Sequence, residues 1–501
     1  MNAKEPLSLA FAIPDHPWMK SADKAAVRIA MTVGVPGPAQ GLLLTSIEET
    51  DLDTDQPNVR FLERSGVIRS NFEIGADLSS VRVMQANDGL SSRGVSLHGA
   101  GFIVTPEQAK SLGLGAVPGL DHHIRPYRNG RDLAATPRGV WVIDLYDLTE
   151  GEVRDKFPAV YQWVFERVRP ERQENREDFR RNYWWWFGRR HTDFRNFTAD
   201  LPRFISTVET SKHRFFVFLD ASIRPDNMLV NIGVDDASLL ATLSSHIHVT
   251  WALAAGGRLG VGNDPRYNKT RCFDPFPFPD LTDKQKTHLR DLGERLDAFR
   301  KERQAEHPDL TMTGMYNVLE RLRELEANPE AAPLNDKERA IHEKGLVSVL
   351  KQIHDEIDAA TFDAYGWPRD LTDEEILERL VALNKERAEE EKRGIVRWLR
   401  PDYQIPRFGK GLAKEEQVEA ELDAPAIAAR APQWPAALPD QIRAVRAVLA
   451  QAERPVAPQD LARAFKGGKK RGERVTELLE SLSMLGQVRE DGGKYFLVDR
   501  G

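Results

Sequence analysis

LSSHIHVTWALAAGGRLGVGNDPRYNKTRCFDPFPFP, residues 243–279, is the stretch on which the reading of this chain turns. Its first part belongs to an apolar run from Ala237 to Ala255 whose spacing predicts a helix. A polar, glycine-rich loop follows, and Asp274-Pro275-Phe276-Pro277 closes it as a proline-rich turn. Between helix and turn stand Arg258, Asn263, Arg266, Asn268, Lys269 and Arg271. Arg and Asn can bond base edges through paired donors and Lys can neutralise phosphate, so this loop is a candidate nucleic-acid contact. Any exposed loop carries the same residue types, and a scaffold-held loop is where such contacts belong.

Upstream, Phe204 to Val208, Phe215 to Leu219 and Met228 to Ile232 read as strands. Lys212 and Arg214 lie between the first two, placed either to reach phosphate or to serve as plain surface. From Val153 to Asn182 the pattern is helical, with Arg167, Arg169, Arg172, Arg176, Arg180 and Arg181 interleaved with glutamates as on a solvated face. The block Tyr183 to Phe187 then precedes Arg189 and Arg190. Consecutive aromatics facing different ways are expected to bury; stacking on a displaced base, with the two arginines bracing phosphate, is the alternative. Phe102 to Val104 and Val140 to Leu145 read as short strands. Leu9 to Ile13, Val27 to Val33 and Leu42 to Ile47 alternate as strands with no helix ahead of them. Such an edge invites a partner's sheet.

Downstream, Thr282 caps a helix with Leu289, Leu292, Leu296 and Phe299 on one face, and further helices span Asp336 to Ala360 and Thr372 to Glu391. Ala, Pro and Glu dominate Gly411 to Leu438, a linker composition. The last segment predicts three helices, around Ile442 to Leu449, Pro458 to Phe465 and Val475 to Leu485, and then a hairpin from Gln487 to Val498, which is a winged-helix pattern. Lys466, Lys469, Lys470, Arg471 and Arg474 precede or open the third helix, where a winged helix would approach DNA or dock a protein.

The 501 residues suffice for about three domains. The reading is α+β multidomain: terminal strands over 1–60, a mixed α/β domain over 61–280, a helical region over 281–410, a linker over 411–438 and the winged-helix module over 439–501. With 41% apolar and 29% charged residues the composition is that of a soluble protein, and no membrane partner is expected. No secretory pattern occupies Met1 to Leu9, and the single cysteine, Cys272, suits a reducing compartment, so the expected location is cytoplasmic. A net charge of -7 does not announce nucleic acid, so any phosphate-binding face must come from local clustering.

Catalytic patterns are weak. Leu97-His98-Gly99-Ala100-Gly101-Phe102 precedes a strand, whereas a cofactor-binding glycine turn follows one. Asp274-Pro275-Phe276-Pro277 lacks the double proline of a base-flipping tetrapeptide. His246, His248, His342 and His354 have no third ligand at zinc-like spacing, so neither catalytic nor metal residues are assigned.

An ordered series of strings nevertheless resembles the class I S-adenosyl-L-methionine-dependent DNA (adenine-N6) methyltransferases of the type IIG and type IIL restriction-modification kind, in the portion after the catalytic motif. The strings are Phe11 to Trp18 with Ala25 to Met31, Leu90 to Phe102, Ile124 to Asp132, Leu243 to Leu259, Arg266 to Pro279 and Ala364 to Pro368, covering about residues 7 to 410. The resemblance implies that the first strands end a methyltransferase sheet and that the 243–279 block closes a target-recognition domain. It places Arg93 at the interface with a cofactor domain. It also implies that the cofactor loop and catalytic tetrapeptide would lie before residue 1. The expected partners are double-stranded DNA and a catalytic subunit or N-terminal half carrying S-adenosyl-L-methionine, with none bound by this chain alone. A DNA-binding specificity or regulatory subunit without a methylation role is the alternative.

Overall fold

A computed structural model describes residues 7–17, 28–51, 58–69, 72, 74–259, 264–409, 434–435, 437–451, 456–465, 471–484, 488–491 and 494–497. The chain divides into two compact units, Met1–Glu415 and Glu416–Gly501.

The first unit opens with β1 (Leu7–Pro17), β2 (Arg28–Pro36), β3 (Gly41–Thr50) and β4 (Asn58–Gly66), in the order β2-β1-β3-β4. β1 runs antiparallel to β2 and parallel to β3. The first strand is therefore an inner one, and the edges are β2 and the strand the sequence reading passed over, β4. Ala12, Leu43 and Ile68 form its small core.

The next segment builds two further four-stranded sheets. In chain order the strands are β5 (Ser91–Arg93), β6 (Ile103–Val104), β7 (Ile124–Arg128), β8 (Trp141–Ile143), β9 (Arg203–Val208), β10 (Val217–Asp220), β11 (Arg224–Pro225) and β12 (Leu229–Ile232). One sheet has the order β10-β9-β12-β5 and the other β11-β7-β8-β6. Between them lie α1 (Pro106–Ser111), α2 (Gly130–Ala134), α3 (Glu150–Lys156), α4 (Pro158–Arg167), α5 (Arg169–Gln173), α6 (Asp178–Asn182) and α7 (Thr192–Thr198). The helical stretch from 153 to 182 is thus broken, because Pro158 and Pro170 lack an N–H and each opens a new helix. Nor is its arginine face solvated throughout: Arg172 is buried and donates to the Leu97 carbonyl at 2.6 Å.

The apolar run from Ala237 divides into α8 (Ala237–Ser244) and α9 (His246–Ala255). Ser245 takes an extended conformation and its side chain caps α9, so one expected helix becomes two. The segment after α9 is a hairpin, β13 (Gly257–Leu259) against β14 (Asp264–Arg266), where a loop was expected, and α10 (Lys269–Cys272) follows. Next come α11 (Asp283–Glu306), α12 (Met312–Ala327), α13 (Asp336–Gly345), α14 (Val347–Tyr365), α15 (Asp373–Lys392) and α16 (Pro401–Phe408). Thr282 makes the full capping box with Gln285, and Leu289, Leu292 and Leu296 are buried. A Cβ at Gly293 would stand 2.1 Å from the Ala237 carbonyl oxygen, so glycine there allows α11 to lie close against α8. One continuous core joins residues from Leu90 to Tyr403, so the helices after 281 share their apolar interior with the sheets.

The second unit contains α17 (Leu438–Gln451), α18 (Pro458–Arg463), α19 (Arg471–Met484) and the antiparallel pair β15 (Val488–Asp491) and β16 (Lys494–Leu497). Val445, Leu449, Leu461, Val475, Leu479 and Tyr495 contribute to its own core. Most of the linker expected over 411–438 lies outside the described residues. Removing residues 416–501 is expected to leave the first unit folded, with its cooperative melting transition retained. Loss of that transition in the truncated chain would refute the division.

Candidate functional site

The 243–279 stretch supplies one wall of a polar cluster at the end of β9. β9 is buried on both faces, with Phe204, Ile205 and Val208 in the apolar core, and Glu209 follows directly, buried to 2% exposure. A buried carboxylate needs compensating donors. Arg266, at the end of β14, gives Nε and Nη2 to Glu209 Oε1 at 2.9 and 2.8 Å. Arg93, at the end of β5, donates Nη2 to the same oxygen. Backbone bonds fix the three segments: Tyr267 N–H donates to the Glu209 carbonyl at 2.6 Å, and Glu209 N–H to that of Met228 at 2.8 Å. Both arginine side chains remain partly open, at 47% for Arg93 and 35% for Arg266. Neither Glu209 nor its role was legible in the sequence. A glutamate directly after an apolar strand was the one available signal.

The other candidates of this stretch divide. Asn268 caps α10 through Thr270, and Lys269 pairs with Asp274 at 3.4 Å. Arg271 is exposed. Arg258 lies in β13, and Asn263 lies outside the described residues. Lys212 is exposed beside this segment and donates to Asn317 at 2.7 Å. The phosphate or surface reading of Arg214 needs correction, because its side chain is buried. It donates to Thr207 Oγ1 at 3.0 Å, to the Pro265 carbonyl at 3.2 Å and to the Val208 carbonyl. Its guanidinium lies 5.1 Å from the Tyr267 ring, and burial brings it down to about 10. Arg214 therefore ties β9 to β14 and is spent inside the fold.

In the aromatic block, Trp184, Trp185 and Phe187 are buried, and the indoles of Trp185 and Trp186 both donate to the Leu148 carbonyl. Core packing accounts for the block. Arg189 and Arg190 are exposed, the latter 5.9 Å from the Trp186 ring. Hydrogen bonds link neither to the Glu209 cluster. In the second unit Lys466, Lys469 and Lys470 lie outside the described residues, Arg471 opens α19, and Arg474 pairs with Glu477 at 2.7 Å.

A second cluster lies where β7 and β8 meet α7. Asp144 is buried and bonded at 2.7 to 2.9 Å by Arg195 and Arg224. Burial alone would raise its carboxyl, but the two guanidinium groups outweigh that and hold it far below the ordinary carboxylate range. The pair borders a cavity of about 500 Å3 that His122, His123 and Arg125 also line.

The weak catalytic strings have structural uses. A Cβ on Gly101 would stand 2.6 Å from the Arg167 carbonyl oxygen, and residues 100–102 form a tight turn ahead of β6. Asp274 accepts from Ser91 at 2.6 Å, while Asn87 donates to the Phe273, Asp274 and Phe276 carbonyls. The Leu97–Phe102 string does not fit S-adenosyl-L-methionine, since the backbone a cofactor would approach at Gly101 is already packed, and the Asp274 and Phe276 carbonyls of the other string are taken by Asn87. His248 is buried, lowered to about 3 by burial and by Arg214, and bonded to the Tyr267 hydroxyl at 3.0 Å. Burial raises the Cys272 thiol to about 11. Among the described residues no three His, Cys, Asp or Glu side chains group as metal ligands, and no helix is long and apolar enough to cross a membrane.

Residues 91–280 match the family model described as MmeI, target recognition domain. The chain is 26% identical over 183 residues to DNA methyltransferase A of Bacillus subtilis (strain 168), covering 36% of this chain and 17% of that protein. It resembles the solved structure of the type IIL restriction-modification enzyme MmeI in complex with DNA, with a TM-score of 0.57 and 17% identity over 76% of this chain and 46% of that one. That likeness is one of fold. The chain spans well under two thirds of the length of both relatives, and within it residues 91–280 are a target recognition domain of the MmeI kind.

Proposed function

From a chain whose residues 91–280 are a target recognition domain, we propose the DNA sequence-recognition part of a site-specific adenine-N6 methyltransferase serving restriction-modification or phage defence. The domain match carries the reading, because it covers the β10-β9-β12-β5 sheet and the β13–β14 hairpin that together hold the Glu209 cluster and its exposed cations. The β1–β4 sheet, with β2 as an open edge, is suited to complete a methyltransferase sheet. By the chain's resemblance to such enzymes, the cofactor and the flipped-base pocket are assigned to a catalytic part. The three helices and hairpin of the second unit serve as a winged helix on DNA or protein, and the assembly works in the cytoplasm.

In this reading the domain has two tasks. Exposed cations such as Lys212, Arg271, Arg189 and Arg190 hold phosphates and set register, while groups on rigid strands read base edges. The test is to combine the purified chain with its catalytic part, labelled S-adenosyl-L-methionine and duplex DNA, and to map methylated adenines. Site-specific methylation that requires this chain supports the proposal. Sequence-specific binding without methylation in any combination would favour a regulatory or specificity subunit instead. Lys212→Ala and Arg271→Ala are each expected to weaken binding to all sequences alike and to lower the salt slope of log K by about 1. An unchanged slope in both would remove these residues from the interface.

A further inference from the structure

We infer that Arg93 and Arg266, held by the buried carboxylate of Glu209, form a guanine-reading fork within the recognition domain. The inference rests on the DNA-recognition reading above. The geometry that carries it comes from three segments far apart in sequence, brought together at the ends of β5, β9 and β14. Both guanidinium groups converge on one oxygen, Glu209 Oε1. The other oxygen, Oε2, and the neighbouring Thr210 Oγ1 are buried with no hydrogen-bond partner.

The donors left over point to the ligand class. Glu209 takes one N–H of Nη2 from Arg93, and Nε–H with one N–H of Nη2 from Arg266, so the end edge of each guanidinium, Nη1 with the second N–H of Nη2, stays available as a pair of donors. Nε and Nη1 of Arg93 and Nη1 of Arg266 have no hydrogen-bond partner among the described residues, and both side chains are partly open. A guanidinium fixed from behind presents its remaining N–H groups in a set direction. Guanine, with the N7 and O6 acceptors side by side in the major groove, is the base edge arginine matches best. A phosphate contact has no need of such fixing, and the carboxylate cancels one of the two positive charges, which weakens attraction to a backbone in general. Over a third of each arginine side chain stays open, so a ligand can reach both.

The residue expected to matter besides the two arginines is Glu209, as a positioning residue that sets their direction. Glu209→Gln keeps the shape and removes the charge, and is expected to blur the same base preference, with its melting temperature separating a lost direction from a lost fold.

The test is selection of bound duplexes from a random-sequence library by the full chain, with its catalytic part present, followed by affinity measurements on the selected site. At least one selected G·C pair is expected to lose about 10- to 100-fold preference over A·T in Arg266→Ala or Arg93→Ala. In the unaltered protein, 7-deazaguanine at that position, which lacks only the N7 acceptor, is expected to give a comparable loss, and little further loss in the arginine variant. Melting temperatures of the variants show that they are folded, and the 7-deazaguanine arm needs no variant. A selected site without guanine, an unchanged guanine preference in both variants, or a loss uniform over all sequences would overturn the fork while leaving the recognition reading standing. Failure to select any sequence would overturn both.

Discussion

Asp144→Asn is expected to destabilise the first unit by about 4 kcal/mol, because removing one partner of a buried ion cluster leaves the other charges uncompensated. Asp144 lies inside the domain with Arg195 and Arg224 both on its carboxylate. Asparagine keeps one acceptor oxygen but turns an NH2 group toward a guanidinium and takes away the negative charge. Two arginines whose side chains are only 16% and 15% exposed would then face each other across a neutral amide. Equilibrium denaturation at pH 7 measures the loss. A change within about 0.5 kcal/mol, as for an ordinary surface site, would show that the cluster contributes nothing to folding.

The same carboxylate fixes a pH dependence. In the folded chain Asp144 is held below its ordinary range, so it stays ionised where an unfolded aspartate, near 3.9, has begun to take up a proton. Its stabilisation is complete above about pH 4 and is given up as the pH falls further. The stability gap between the native chain and Asp144→Asn is therefore expected to be constant from pH 7 to 5 and to narrow below pH 4. A gap that widens on acidification would contradict this sign.

Arg214→Ala is expected to cost about 3 kcal/mol of stability, combining the lost packing of a buried stem with carbonyls left short of a donor. The Val208 and Pro265 carbonyls each lose the guanidinium that joins β9 to β14. Thr207 Oγ1 loses a donor as well but keeps its own bond to the Phe215 carbonyl at 2.7 Å. Because β14 carries Arg266, the Glu209 cluster is expected to loosen along with the fold. Thermal melting is the direct readout. A variant with unchanged melting but much weaker DNA binding would return Arg214 to the surface role considered from the sequence.

Local elements were legible wherever one-dimensional spacing carries the physics. The capped helix after Thr282 and the strands around Phe204, Met228 and Leu9 follow from apolar period and capping chemistry, which neighbours in sequence specify by themselves. Breaks within elements were harder. Ser245 reads as one more residue of an apolar helix until its side chain is seen to cap a new one. The ordered strings from Phe11 to Pro368 pointed to a target-recognition domain, and the match over residues 91–280 agrees.

What the sequence determined by itself is therefore the kind of domain and most of its helices and strands, since both are written in local pattern and in order along the chain. Which charged residues face outward was decided only by the tertiary structure. Arg214 and Arg266 were both DNA-contact candidates from the sequence, yet one is enclosed between β9 and β14 and the other stays open beside Glu209. Asp144 gains its two arginines from 51 and 80 residues away, and Glu209 gains Arg93 from 116. Burial and ion pairing depend on distances between segments that the fold brings together, and no spacing along the chain encodes those distances.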